Sequence, residues 1–176
     1  YVQIVEKNFV GVSPKDGKVL WKSPFPKGRT AVIPTPIVKG NNVYVTAGYG
    51  AGCKMVTIGP GNEVTTVYEN AVMKNHHGGV VLVDGHLYGF NDLILTCLEF
   101  ATGKMMWRDR SVGKGSVTYA DGRLYIQSET SMVGLAEATP SGYSEKGRFE
   151  IPDKGMPSWA HPVISDVRLY VRNQDT

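Results

Sequence analysis

The chain has 176 residues, of which 41% are hydrophobic and 20% charged, and a formal net charge of +3. These values describe a folded globular chain with enough apolar residues for a sizeable core, and they exclude an intrinsically disordered one. No apolar run reaches the ~18 residues of a membrane-spanning helix; Lys and Arg are scattered, without the basic, aromatic-interleaved stripe of a nucleic-acid surface.

Along the chain, 21 Gly and 10 Pro punctuate short β-branched and aromatic runs. No stretch keeps a helical apolar period for three turns, so the pattern predicts an all-β protein. The chain opens at Tyr1 inside a predicted strand and stops at Thr176 without a cap or tail, so both ends are expected to be cuts through a longer protein. The lack of a targeting segment then carries no information.

Gly17-Lys-Val-Leu-Trp21 comes first, after Ser13–Asp16, and predicts a turn leading into a strand that ends on a large ring. Pro36–Val45 predicts a hairpin, and the same ten-residue pattern returns without gaps at Val80–Gly89, Val117–Ile126 and Pro162–Val171. Its anchors Tyr44, Tyr88, Tyr125 and Tyr170 are 44, 37 and 45 residues apart, the period of a four-stranded propeller blade. Asp84-Gly85 and Asp121-Gly122 suit a type I′ turn, in which both central residues have positive φ, and Gly40-Asn41 can serve the same geometry. Asp166-Val167 is predicted to need a different, longer turn, because a β-branched residue resists positive φ.

After each hairpin, two further strands close on an outer ring. Gly103-Lys-Met-Met-Trp107 repeats the Gly-Lys-x-x-Trp pattern, and Tyr68 and Phe149 stand at the equivalent position in the other two units. Trp21, Tyr68, Trp107 and Phe149 are therefore expected to dock against the neighbouring blade, each burying on the order of 150–250 Å². A lone blade cannot cover both faces of its sheet, so neighbours are obligatory. Cys53 and Cys97 are read as buried free thiols, since two isolated cysteines make no disulfide framework.

Val83-Asp-Gly-His-Leu-Tyr-Gly89, followed by Leu98-Glu-Phe-Ala-Thr-Gly-Lys-Met-Met-Trp107, resembles the repeat of pyrroloquinoline-quinone-like β-propellers. The resemblance runs from Phe9 to Val171 and implies four-stranded antiparallel blades, about half of an eight-bladed propeller. Residues 31–68, 77–107 and 115–151 would be complete blades. Residues 1–30 would hold the end of a preceding blade, its strands within 1–21, and 159–176 the start of a following one. A closed four-bladed ring is the less favoured arrangement, because Tyr1-Val2 and Tyr170-Val171 look like the same strand counted twice. The blade over 111–151 departs from the pattern at Leu135–Ala138 and Thr139–Ser144.

The resemblance also implies a periplasmic or extracellular, bacterial setting, and it places the segment leading into each innermost strand on the face around the central channel. Asn75–Gly79, Ser158–His161 and Thr30–Pro36 would then lie near the axis, with His76, His77, Trp159 and His161 as ligand-binding candidates. One of His76 and His77, with His161 from two blades on, could serve as a proton acceptor or metal ligand. Successive strand side chains point to opposite faces, however, so one ion between His76 and His77 is not expected and hydrogen-bonded loop histidines are the plainer reading. His86, next to its hairpin turn, is expected to be exposed. Gly48–Gly52 follows a strand as a phosphate loop does, but no helix-forming segment comes after it, so it reads as a turn. Asp109, Asp121 and Asp153 are explained by neighbouring turns.

The leading functional expectation is a binding or scaffold module that acts through its channel face, with the remaining blades of the protein as partners and a protein, peptide or carbohydrate as ligand. No catalytic residue, metal or cofactor can be assigned from the chain. The alternative is a quinone-dependent alcohol dehydrogenase using pyrroloquinoline quinone with calcium, its cofactor residues lying partly outside this chain. The adjacent cysteine pair, calcium-binding carboxylate and catalytic Asp of those enzymes have no counterpart here. A hydrolase using the histidines and a metal ranks third.

Overall fold

A computed structural model describes residues 1–25, 32–152 and 155–173. Thr30 and Asp153 lie outside the described residues. Among the described residues the chain is built from strands with a single 3₁₀ turn at Pro60–Asn62. Sheet I comprises β1 (Val2–Ile4), β2 (Asn8–Val12) and β3 (Val19–Pro24). Sheet II comprises β4 (Ile37–Lys39), β5 (Asn42–Ala47), β6 (Gly52–Ile58) and β7 (Val64–Asn70). Sheet III holds β8 (Val80–Val83), β9 (His86–Asn91), β10 (Ile94–Glu99) and β11 (Met105–Asp109). Sheet IV holds β12 (Gly115–Ala120), β13 (Arg123–Ser128), β14 (Met132–Glu137) and β15 (Glu145–Glu150). Sheet V is the hairpin of β16 (Val163–Ser165) and β17 (Arg168–Tyr170).

Every pairing is antiparallel between consecutive strands, the up-and-down order of propeller blades. The four repeated tyrosines hold the same register: Tyr44 faces Ile37, Tyr88 faces Val81, Tyr125 faces Thr118 and Tyr170 faces Val163. Tyr44 and Tyr88 are buried, Tyr125 is half-buried and Tyr170 is exposed. Among the described residues sheet V has two strands, so Tyr170 stands in the smallest sheet of the four. Middle strands carry the core: Phe9, Val43, Val45, Met55, Leu87, Phe90, Leu95, Cys97, Leu124 and Ile126 are all buried.

Asp84-Gly85 (φ 45° and 80°) and Asp121-Gly122 (φ 47° and 73°) both show the double positive φ of a type I′ turn. At Gly40-Asn41 only Gly40 is positive (φ 58°), so that hairpin differs from its equivalents. The expectation of a longer turn at Asp166-Val167 is corrected. Ser165 pairs with Arg168 across a two-residue loop, and both Asp166 (φ 49°) and Val167 (φ 62°) take positive φ. The pairing register of β16 and β17 outweighs the local penalty, and full exposure of Val167 spares it any further clash. His86 is half-buried rather than exposed, its Nδ1 lying 3.0 Å from the Asp84 carbonyl.

Trp107 and Tyr68 hydrogen-bond to the next sheet, and Trp21 and Phe149 each border a cleft with it. Trp107 Nε1 donates to the Thr139 carbonyl at 2.8 Å, and the indole lies between Tyr88 and Tyr143 at ring-centroid distances of 5.9 and 6.1 Å. The Tyr68 hydroxyl donates to the Phe100 carbonyl at 2.9 Å. Trp21 packs edge-on to Phe9 at 5.8 Å and borders a cleft with Gly59 and Pro60 of sheet II. Phe149 stays half-exposed, sharing its cleft with Leu169 of sheet V. Cys53 and Cys97 are free and buried, and burial pushes each thiol pKa up to about 11.

Candidate functional site

In an antiparallel meander the crossover into each first strand and the turn between the second and third strands lie at the same end of the sheet. At that end a cavity of about 620 Å³ is lined by Ile33, Tyr49, His76, His77, Lys114, Glu129, Pro157, Trp159 and His161. The four candidates from the sequence thus share one cavity.

The crossover Lys74–Gly79 is held by its own buried polar groups. Asn75, fully buried, donates through Nδ2 to the carbonyls of Gly79 (3.0 Å) and Phe90 (3.1 Å), and its backbone N–H donates to Thr46 Oγ1. The Lys74 N–H donates to Asn91 Oδ1, and Asp92 N–H returns a bond to the Lys74 carbonyl. Gly78 permits close approach to the neighbouring sheet: a Cβ there would stand 1.9 Å from the Gly115 carbonyl oxygen, beside the bond from Val117 N–H to the Gly78 carbonyl.

His76 and His77 diverge, as strand alternation suggests. His76 Nε2 lies 3.0 Å from Asp92 Oδ1, whose carboxylate also meets Lys74 Nζ at 3.1 Å through Oδ2. The His76 ring lies over Tyr49, with centroids 4.5 Å apart. A Cβ at Gly48 would come within 2.5 Å of that ring, so glycine there is a space requirement. His77 Nε2 lies 2.7 Å from Glu129 Oε1, which Lys114 Nζ also reaches at 3.0 Å, and the His77 ring sits 6.2 Å from Trp159. His161 Nε2 reaches the His77 carbonyl at 2.9 Å.

Carboxylates and carbonyls only accept, so all three histidines carry a proton on Nε2. In the neutral ring Nδ1 is then an acceptor, and that of His77 is buried with no partner. Burial raises the Glu129 pKa, but bonds from His77 and Lys114 outweigh it and hold the carboxyl below its ordinary value. The pairs span blades: His77 leads into sheet III, Glu129 caps a sheet IV turn and His161 leads into sheet V.

Tyr49, Asp92, Lys114 and Glu129 escaped the sequence reading. A signal for two of them exists in the repeat, because the fourth residue after Tyr44, Tyr88 and Tyr125 is Gly48, Asp92 and Glu129 in turn, each in the turn after the second strand. The Gly48–Gly52 stretch is such a turn, running directly into β6. Asp109 is occupied in a local turn, accepting the Ser111 N–H at 2.7 Å.

The donor set does not fit calcium with a quinone. Calcium takes 6–8 oxygen ligands, whereas among the described residues the only carboxylate lining the cavity is Glu129, one oxygen of which already serves His77 and Lys114. Among the described residues no group of three or more His, Cys, Asp or Glu could hold a metal ion.

Successive four-stranded antiparallel sheets, docked through outer-strand rings and sharing a cavity where the crossovers converge, define a β-propeller. Residues 1–94, just over half of the chain, match the family described as outer membrane protein assembly factor BamB, and the chain belongs to that family of pyrroloquinoline-quinone-like propellers. Its structure is similar to BamB from Moraxella catarrhalis, with a TM-score of 0.70 at 13% identity over 96% of this chain and 49% of that one. It is also similar to a europium-containing methanol dehydrogenase, with a TM-score of 0.52 at 15% identity over 68% of this chain and 25% of that one. The chain spans about half the length of the former, and at these identities the likeness is one of fold. No curated protein matches the sequence.

Proposed function

We propose that the chain is part of a propeller scaffold that binds its ligand at the channel face, in the cavity around His76, His77, Trp159 and His161. The observation that carries this reading is the clustering of exposed apolar side chains at that end: Ile33, Tyr49, Leu93, Met156 and Trp159 are all exposed and all stand in crossovers or turns there. Exposed apolar groups rimmed by polar ones mark interaction sites. The polar groups of the cavity pair with one another, which suits a rigid binding surface better than an activated nucleophile.

The family's description as an outer membrane assembly factor supports protein partners and a periplasmic setting for the whole protein. The five sheets would be about half of an eight-bladed propeller, in keeping with the 49% of the BamB chain they cover. The remaining blades would close the other half of the ring.

The test screens the full-length protein against peptide and glycan arrays and repeats the screen with a Tyr49→Ala/Trp159→Ala double variant. Binders held by the wild type and lost by a folded double variant are expected. Blank arrays, or binders indifferent to the double substitution, overturn the proposal.

A further inference from the structure

The geometry points to a neutral short saccharide as the ligand of this cavity, an inference that rests on the binding reading above and names its ligand class. Two half-open rings line the cavity, Tyr49 at 56% exposure and Trp159 at 64%. Each is backed by an imidazole: Tyr49 lies against His76 at 4.5 Å and Trp159 beside His77 at 6.2 Å. The two histidines are themselves fixed by Asp92 and Glu129, so the aromatic faces are held open before any ligand arrives. Tyr49 belongs to a sheet II turn and Trp159 to the crossover into sheet V, with sheets III and IV between them. Open ring faces set apart in this way suit a ligand whose rings carry C–H faces.

Charge and hydrogen bonding narrow the class. Among the described residues, Lys114 and Glu129 line the cavity as a 3.0 Å pair whose opposite charges cancel. Among the described lining residues, a ligand with net charge would meet a charge pair already closed on itself. The lining mixes both hydrogen-bonding senses: Lys114 donates, Glu129 accepts, and the Nδ1 atoms of His76 and His161 accept in the tautomer set by their Nε2 partners. Sugar hydroxyls, each at once donor and acceptor, match such a mixed set. An extended peptide would gain affinity by adding to a strand edge, and none of the lining residues lies in a strand. A volume near 620 Å³ is in the range of small-ligand sites.

The experiment titrates neutral cello-, chito- and malto-oligosaccharides into the full-length protein, followed by tryptophan fluorescence and calorimetry. Trp159→Ala, Trp159→Phe and Tyr49→Ala are titrated alongside, and thermal melts check that each variant is folded. We expect saturable binding of at least one oligosaccharide, little changed by added salt, weakened at least about tenfold by Trp159→Ala and largely kept by Trp159→Phe. Salt-sensitive binding would show a charge-driven ligand and overturn the assignment. So would peptide binders lost in Trp159→Ala in the absence of any saccharide binding, which would leave the binding reading intact. Failure of both saccharides and peptides to bind overturns both.

Discussion

Trp107 is the clearest test of how the sheets hold together. Its indole bridges sheets III and IV, between Tyr88 of its own sheet and Tyr143 of the next, with Nε1 donating to the Thr139 carbonyl at 2.8 Å. Truncating a buried Trp to Ala costs about 3–5 kcal/mol; Trp107 is half-buried, so about 3 kcal/mol is expected for Trp107→Ala. Trp107→Phe keeps a ring in place but loses the hydrogen bond, whose net worth is about 1 kcal/mol, so about 1–2 kcal/mol is expected. A double-mutant cycle with Tyr143→Leu isolates the contact across the sheets, with an expected coupling of about 0.5–1.5 kcal/mol. Urea unfolding followed by circular dichroism reads all five proteins: wild type, the three single variants and the double variant. The docking argument fails if Trp107→Ala costs under about 1 kcal/mol, or if the two substitutions add within about 0.3 kcal/mol.

Val167→Gly should stabilise the chain by about 1 kcal/mol, because it removes a β-branched residue from φ 62° at a fully exposed site. Gly85→Val, at φ 80°, should cost about 1–2 kcal/mol; melting midpoints that move the other way would contradict both turn assignments. Glu129 has a folded pKa below the ordinary 4.5, so its stabilising contribution is full above that value and is lost as pH falls through the folded pKa. The melting difference between wild type and Glu129→Gln should therefore shrink below about pH 4.5, and a difference constant from about pH 6 to about pH 3 would refute the pairing. With thiol pKa values near 11, Cys53 and Cys97 should resist alkylation at neutral pH until the protein unfolds. Rapid modification of the native protein, read by mass spectrometry, would contradict their burial.

Local chemistry made the repeat legible. Hairpin turns announce themselves through Asp-Gly, and a strand's alternation with its anchor tyrosine sets which face meets the core, so Tyr44, Tyr88, Tyr125 and Tyr170 could be placed in equivalent registers from spacing alone. The outer rings followed from the same period, because a large ring at a constant offset has one recurrent neighbour to meet. Val167 shows where such reasoning stops. A residue's own φ preference is worth about 1–2 kcal/mol, and the pairing of β16 with β17 overrides it.

The cavity needed the tertiary structure. His76 and His77 stood out as residue types, but their partners Asp92 and Glu129 lie 16 and 52 residues downstream, in turns with no marked composition. What joins them is that crossovers and turns of successive sheets emerge at one end, a consequence of how whole blades pack. Period and turn chemistry reside in neighbouring residues and can be read along a chain. The meeting of Tyr49, Lys114, Glu129 and Trp159 depends on the angle between sheets, which side-chain packing sets and no local pattern encodes.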